Sequence, residues 1–330
     1  LTSDDVVSWF RSVMGVDPSF EDVVLERQIT DDVDDLRRKL FSRRAFLESF
    51  PTLVDTSAED PRPKAREALI FLHIPKCAGT SLHSALLQQY AGPFCPERHN
   101  GLGNWPAGLL AHYACFSGHF DIKSIDLIAT KKKTLITMLR APERRLVSVY
   151  RFLRAHTDSA IKAQGENMDL VRLAREFDPV AFFRHPALAK HPSINNAMVR
   201  ALSGPLPYKR WEAWYPERAY IPTLTDRSPK RALAAALSTL RRMKAFGVVE
   251  HLDASVAHIF RSLGIDAPPS LERLQATDVV AGENPRLEPV ALVEPTPALA
   301  DAMAPHLALD RPLYDRALDL LQARGVIQSG

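Results

Sequence analysis

In LHIPKCAGTSL, residues 72 to 82, a lysine, a glycine and two hydroxyls stand together where a strand should give way to a helix. Lys76 brings a positive charge, Gly79 lets the backbone approach a ligand, and Thr80 and Ser81 add hydroxyl and amide donors. The first N–H groups of a helix have no internal partners, and the helix dipole favours negative charge there. A strand, a tight turn and a helix start of this composition therefore make an anion site. The order of parts is not that of a nucleotide triphosphatase. In that loop the lysine follows the last glycine and the next hydroxyl holds Mg²⁺; here Lys76 comes before the turn. A second run, LRAPERRLVSVYRF (139 to 152), puts Arg140 where such enzymes often carry a metal-binding aspartate. The bound charge should be met by protein cations, with no metal required.

The elements that would position these groups can be read on either side of them. ALIFLHI, from Ala68, is a continuous apolar run of strand length, as in a strand buried on both faces of a parallel sheet. SLHSALLQQY carries Leu82, Ala85 and Leu86 at helical spacing. TLITML (134 to 139) predicts a second strand, followed by a helix opened by Pro142 with Leu146, Val149, Tyr150 and Leu153 as its buried stripe. AFGVV (245 to 249) predicts a third strand, leading past Glu250 and an Asp253 N-cap into a helix that Gly264 ends. Lys131 to Lys133 read as a solvated loop. Mostly helical insertions occupy about 156 to 243, a proline-rich loop runs from Ala267 to Pro297, and a last helix spans Pro312 to Arg324. Strand alternating with helix implies an α/β fold of three layers with a central, mainly parallel sheet, P-loop-like in design. This domain is expected over residues 68–330, after a small helical N-terminal module (1–50) and a polar linker (51–67).

With these residues in view, the chain resembles the carbohydrate sulfotransferase families related to heparan sulfate 2-O-sulfotransferase. LHIPKCAGTSL is similar to their 5′-phosphosulfate loop, and LRAPERRLVSVYRF to their 3′-phosphate element, with Arg140, Pro142, Arg145, Leu146, Ser148 and Tyr150 at the family spacing. Ala141 stands where the family usually has Asp, which calls a local hydrogen bond into question. SGHF (117 to 120), NAMVRALSG (196 to 204), FGVVEHLD (246 to 253) and DRPLYDRAL (310 to 318) are softer matches in the family's order. The resemblance implies 3′-phosphoadenosine 5′-phosphosulfate (PAPS) as sulfuryl donor and 3′,5′-adenosine bisphosphate (PAP) as product. Pro75, Lys76, Cys77, Ala78, Gly79, Thr80, Ser81 and Leu82 would wrap the 5′ end; Arg140 and Ser148 would bind the 3′-phosphate, with Arg200 of NAMVRALSG also on the donor. It implies Lys76 and His119 as catalytic residues. Lys76 would neutralise the leaving oxygen, and His119, an imidazole titrating in the useful range, would take the acceptor's proton. Against the base stands the alternative of a capping or sheet-edge histidine at His119. His73 reads as a packed core residue, His83 as structural, and His112, His156, His185 and His191 as reserves.

Composition limits the alternatives. Lys plus Arg number 42 against 39 Asp plus Glu, a formal charge of +3, too small an excess for a nucleic-acid coat yet compatible with a basic pocket. Three cysteines, none in a Cys-x-x-Cys pattern, read as reduced thiols. No run approaches the ~20 apolar residues of a membrane helix, which favours a cytoplasmic, bacterial-style enzyme, at most peripheral to a membrane. The expected acceptor is a carbohydrate or glycolipid, and the sequence leaves a homodimer open. The aromatic and basic cluster from Tyr208 to Tyr215 suits a sugar or a core edge equally. Two rivals remain: a P-loop small-molecule kinase or NTPase, disfavoured by the missing Gly-Lys-Ser/Thr, and a catalytically inactive glycan-binding domain.

Overall fold

The computed structural model describes residues 67–95, 110–122, 132–164, 169–204, 229–266 and 286–328, together with Val6, Val7, Ala65, Leu102, Ile125, Ile128 and Thr130. All of the helical module except Val6 and Val7, nearly all of the linker, and the Tyr208 to Tyr215 cluster lie outside the described residues.

Among the described residues four parallel strands form the sheet: β1 (Glu67–Leu72), β2 (Cys115–Gly118), β3 (Lys132–Leu139) and β4 (Ala245–Val248), in the order β2-β1-β3-β4. β1 and β3 are central, and their cores are sealed on both faces: Ile70, Phe71, Leu72, Ile136 and Leu139 are fully buried. After β1 the chain passes through α1 (Gly79–Gln89) to β2 on one side, then returns to β3 on the other. The reversal leaves a crevice at the carboxyl ends of β1 and β3, the place where open α/β sheets bind ligands.

Further helices complete the domain: α2 (Pro142–Arg154), α3 (Asp158–Gln164), α4 (Asp169–Glu176), α5 (Pro179–Arg184), α6 (Ala197–Ser203), α7 (Pro229–Arg242), α8 (Leu252–Leu263), α9 (Pro297–Met303) and α10 (Asp310–Ala323). The stripe expected on α2 is buried as read: Leu146, Val149 and Tyr150 pack with Phe182, Phe183, Leu299 and Met303, and Leu153 covers the edge. Arg145, on the same helix, is fully buried and donates to the carbonyls of Ser193 (3.0 Å) and Ile194 (3.4 Å), pinning α2 to the turn before α6. Asp310, fully buried at the start of α10, accepts from the amides of Met198 and Val199 at the start of α6. The Asn196 side chain returns the favour to the amides of Leu309 and Asp310, so two helix N-termini cap each other.

Some boundaries differ from the sequence reading, each for a local reason. Lys132 and Lys133 belong to β3 rather than to a loop, because β3 runs on to pair with Glu67 and Ala68, and the Lys132 ammonium meets the Glu67 carboxylate across the ladder. Asp253 lies in the first turn of α8 and not at its N-cap: a 3₁₀ turn, Val249–His251, runs directly into the helix. The last helix begins at Asp310, and α9 falls just after the proline-rich stretch. β2 has only four residues and so little periodicity to read. All three cysteines are buried and free. Among the described residues no helix is long and apolar enough to cross a membrane.

Candidate active site

The Lys76 loop follows β1, Arg140 follows β3, and Val249 and Glu250 follow β4; His119 follows β2 but does not line the cavity these residues form. A cavity of about 390 Å³ is lined by His73, Lys76, Ala78, Gly79, Thr80, Ser81, Arg140, Arg144, Ser148, Val249, Glu250 and Leu252.

The loop is sharply wound. Lys76 and Ala78 both adopt positive φ, at 66° and 57°, although neither is glycine. Such backbone is tolerated only where the surroundings dictate it, and it concentrates at ligand-binding turns. Two features dictate it here. Arg140 Nη1 donates to the Lys76 carbonyl at 3.1 Å, and Cys77, with no exposed surface, is sunk into the core with its thiol turned to the Pro75 carbonyl. Burial pushes the Cys77 thiol up to about 12, so it is a neutral packing group. Cys77 and Leu82 thus fasten the loop from beneath, whereas Lys76, Ala78, Gly79, Thr80 and Ser81 face the cavity. No acidic residue occupies the first turn of α1, whose N-terminus therefore keeps its dipole for a ligand.

Gly79 is required by a neighbour. A Cβ there would lie 1.8 Å from Cδ2 and 1.9 Å from Nε2 of His73, so the imidazole occupies the space a side chain would need. His73 is buried as expected, stacked on Phe71, yet it also lines the cavity and meets His119 edge to face at 4.3 Å between ring centroids. His119 itself is half-buried on the turn that ends β2. His83 is buried and bonded to the Ser117 hydroxyl at 2.7 Å, a structural part beneath β2.

Arg140 is half-buried, and desolvation lowers its pKa, offset in part by the Glu250 carboxylate. The guanidinium stays charged. Its buried Nε has no hydrogen-bond partner among the described residues. A cation already stripped of water, with a donor unsatisfied beside a cavity, fits an anion. Ser148 stands two turns along α2 from Arg140, opposite the buried stripe, and shares the cavity wall with Arg144. Arg200 is drawn elsewhere. It is almost fully buried, bonded through Nε and Nη2 to Asn195, and lies outside the cavity lining; burial lowers its pKa to about 10.

Sequence reasoning assigned no role to Arg144 or Glu250. The Glu250 carboxylate accepts from the Ala141 amide, at 3.1 Å to each oxygen, and from the Tyr314 hydroxyl at 2.7 Å. It thereby receives the helix-start amide beside Ala141, the position where a hydrogen bond was in question. Burial, then the Glu250 bond, pushes the Tyr314 phenol well above its usual range. The adjacency of Glu250 to a strand end was the only signal available. Arg144 was hidden among neighbouring arginines, and its place four residues before Ser148 could have marked it.

A larger groove, about 660 Å³, opens on the opposite face of α2 between Arg154, Asp178 and the extended segment 288–296. Its cations are committed: Arg154 donates to the carbonyls of Ala174 and Arg175, and Arg175 pairs with Glu288 and Asp158. It is a poor site for an anion. Among the described residues no group of His, Cys, Asp and Glu has the arrangement of a metal site.

A family model described as a sulfotransferase family matches residues 63–278, and no curated protein matches the sequence.

Proposed function

The chain belongs to the sulfotransferase family and is a sulfotransferase by that membership, and from this premise we propose that it moves the sulfuryl group of PAPS to a hydroxyl of a carbohydrate or glycolipid acceptor. The observation that carries the donor assignment is the convergence of Lys76, the α1 N-terminus, Arg140 and Ser148 on one cavity, with the buried Nε of Arg140 awaiting an acceptor. The 5′-phosphosulfate lies along residues Lys76 to Ser81, and the 3′-phosphate lies between Arg140 and Ser148, with Arg144 at the rim.

In the transfer, the acceptor oxygen attacks sulfur in line with the bridging oxygen. The new oxygen–sulfur bond forms as the sulfur–oxygen bond to the 5′-phosphate breaks, and PAP leaves with the bridging electron pair. The Lys76 ammonium offsets the charge gathering on that oxygen, and His119 accepts the proton of the acceptor hydroxyl. Bonds to protein cations and amides carry the whole charge of the donor, so no metal is needed.

Calorimetry with PAP in the presence of EDTA, followed by a screen of sugar and glycolipid acceptors with labelled PAPS, tests the reading. Binding of PAP without metal and labelling of an acceptor are expected. Strict dependence on Mg²⁺, or preference for ATP, would favour a kinase instead, and PAP binding without transfer to any acceptor would favour a glycan-binding domain.

A further inference from the structure

The ammonium of Lys76 lies 4.2 Å from the centroid of the Phe152 ring, over its face. Phe152 continues the cavity side of α2, since Arg144, Ser148 and Phe152 follow at intervals of four residues. Its ring is held from behind by groups remote in sequence. It packs with Val290 against Ala155 and Leu287, and the His156 ring meets it edge to face at 5.0 Å. His156 Nδ1 faces the carbonyls of Phe152 and Leu153, at 3.0 and 3.2 Å. Segment 286–290 is tied to this end of α2 by Thr157 N to Arg286 O (2.8 Å), Glu288 N to Ala155 O (2.7 Å) and Arg151 Nη2 to Val290 O (3.0 Å).

We infer that Phe152 is a positioning residue for sulfuryl transfer: its ring face holds the Lys76 ammonium at the wall of the donor cavity before the donor arrives. The inference rests on the reading of Lys76 as the cation for the leaving oxygen. The chemistry of the contact suits that task. A carboxylate at this position would compete with the donor for the ammonium and repel the incoming phosphosulfate. An aromatic face attracts the cation without adding a negative charge to the cavity wall. A lysine side chain also surrenders much rotamer freedom when it is fixed, and here the ordering precedes binding. The backbone end of the same residue is already fixed by Arg140, so both ends of Lys76 are set by α2 and the residue that introduces it.

Four variants of the full chain test this: F152L, which keeps apolar bulk but has no π face; F152Y, which keeps the face; K76A; and K76A combined with F152L. Turnover at saturating PAPS and acceptor should fall about three- to thirtyfold in F152L and recover in F152Y, with PAP affinity unchanged within about twofold. F152L should slow K76A no further. A second readout is independent of activity: after reductive ¹³C-methylation of ligand-free protein, the Lys76 methyl resonance should be displaced by the ring current in wild type and F152Y, and not in F152L. An undisplaced resonance in wild type, equal losses in F152L and F152Y, or additive losses with K76A would each overturn the inference. Full turnover in K76A would overturn the role of Lys76 itself, and the wild-type resonance separates that failure from failure of the contact.

Discussion

Arg140 donates from Nη1 to the backbone carbonyl of Lys76, 3.1 Å away, so the residue proposed to read the 3′-phosphate also holds the turn proposed to receive the 5′-phosphosulfate. In that reading the two ends of the donor are joined through one side chain. Lys76 keeps its positive φ while that bond and the burial of Cys77 persist. A donor lacking its 3′-phosphate would meet the loop without the second half of this arrangement.

Arg140→Ala should therefore act on both ends, though unequally. Loss of a charge-assisted hydrogen bond, at roughly 1.5–3 kcal/mol, should weaken PAP by about one to two powers of ten. Adenosine 5′-phosphosulfate has no 3′-phosphate and should weaken only a few-fold, through the loosened loop. Calorimetry with both ligands on wild type and variant gives the ratio. Equal weakening of the two would make Arg140 a support for the loop alone.

Lys76→Ala should separate turnover from binding. PAP lacks the sulfuryl group whose departure the ammonium is proposed to assist, so its affinity should change little. Turnover should fall on the order of a hundredfold or more, as when one electrostatic stabiliser is removed from other active sites. Single-turnover rates beside PAP titrations measure the two quantities, and a parallel decline in both would reduce Lys76 to a binding charge.

Much of this arrangement could be read from the chain because its parts are local. The loop residues Lys76 to Ser81 lie in one short segment between a buried apolar run and a helical pattern, and Arg140 directly follows β3, with Ser148 on the helix after it. Strand ends, a proline at a helix start and a glycine at α8's end all have signals within a few residues. What escaped depends on contacts between distant segments. Glu250 reaches Ala141 across 109 positions, Phe152 is fixed by Val290, and Asp310 caps α6 from the far end of the chain. Arg200 shows the converse: it occupies a plausible motif, but Asn195 and the buried Asp310 beside it explain its position without a ligand. The same limit applies to Lys132 and Lys133, whose strand character comes from the β1 residues opposite them.

The buried thiols and phenols make stability sensitive to alkali. Burial raises Cys77 from 9.0 to about 12 and Cys115 well above 9.0, and it raises Tyr90, Tyr150 and Tyr314 above 10.0. Above an unfolded thiol's pKa the unfolded chain has lost protons that the native chain retains, so stability falls as pH rises. Each such group contributes a slope of up to about 1.4 kcal/mol per pH unit. Melting temperature should be flat with respect to these groups below pH 9 and decline between 9 and 12, the phenols joining from 10 upward. In native protein at pH 8, iodoacetamide should leave Cys77 and Cys115 unmodified. Rapid native alkylation of Cys77 would mean that the loop opens far more than its burial implies.

The sharpest geometric test lies in the contact among Gly79, His73 and His119. A methyl group on residue 79 would stand 1.8 Å from the His73 ring, which no small adjustment relieves. The ring must move, and it borders both His119 and the cavity. Gly79→Ala should therefore destabilise the protein by about 1–3 kcal/mol, the usual penalty of overpacking, and it should depress sulfuryl transfer strongly. Adding His73→Ala removes the obstructing ring, so the double variant should regain most of the lost stability. Thermal melts of the two single variants and the pair provide the comparison. Activity then distinguishes the histidines. If His119 is the base, His119→Ala abolishes most transfer while PAP still binds, and His73→Ala, which leaves the base but removes the ring beside it, loses less. A His73→Ala loss as deep as that of His119→Ala, with stability intact, would move the proton-accepting role to His73, whose ring already faces the cavity.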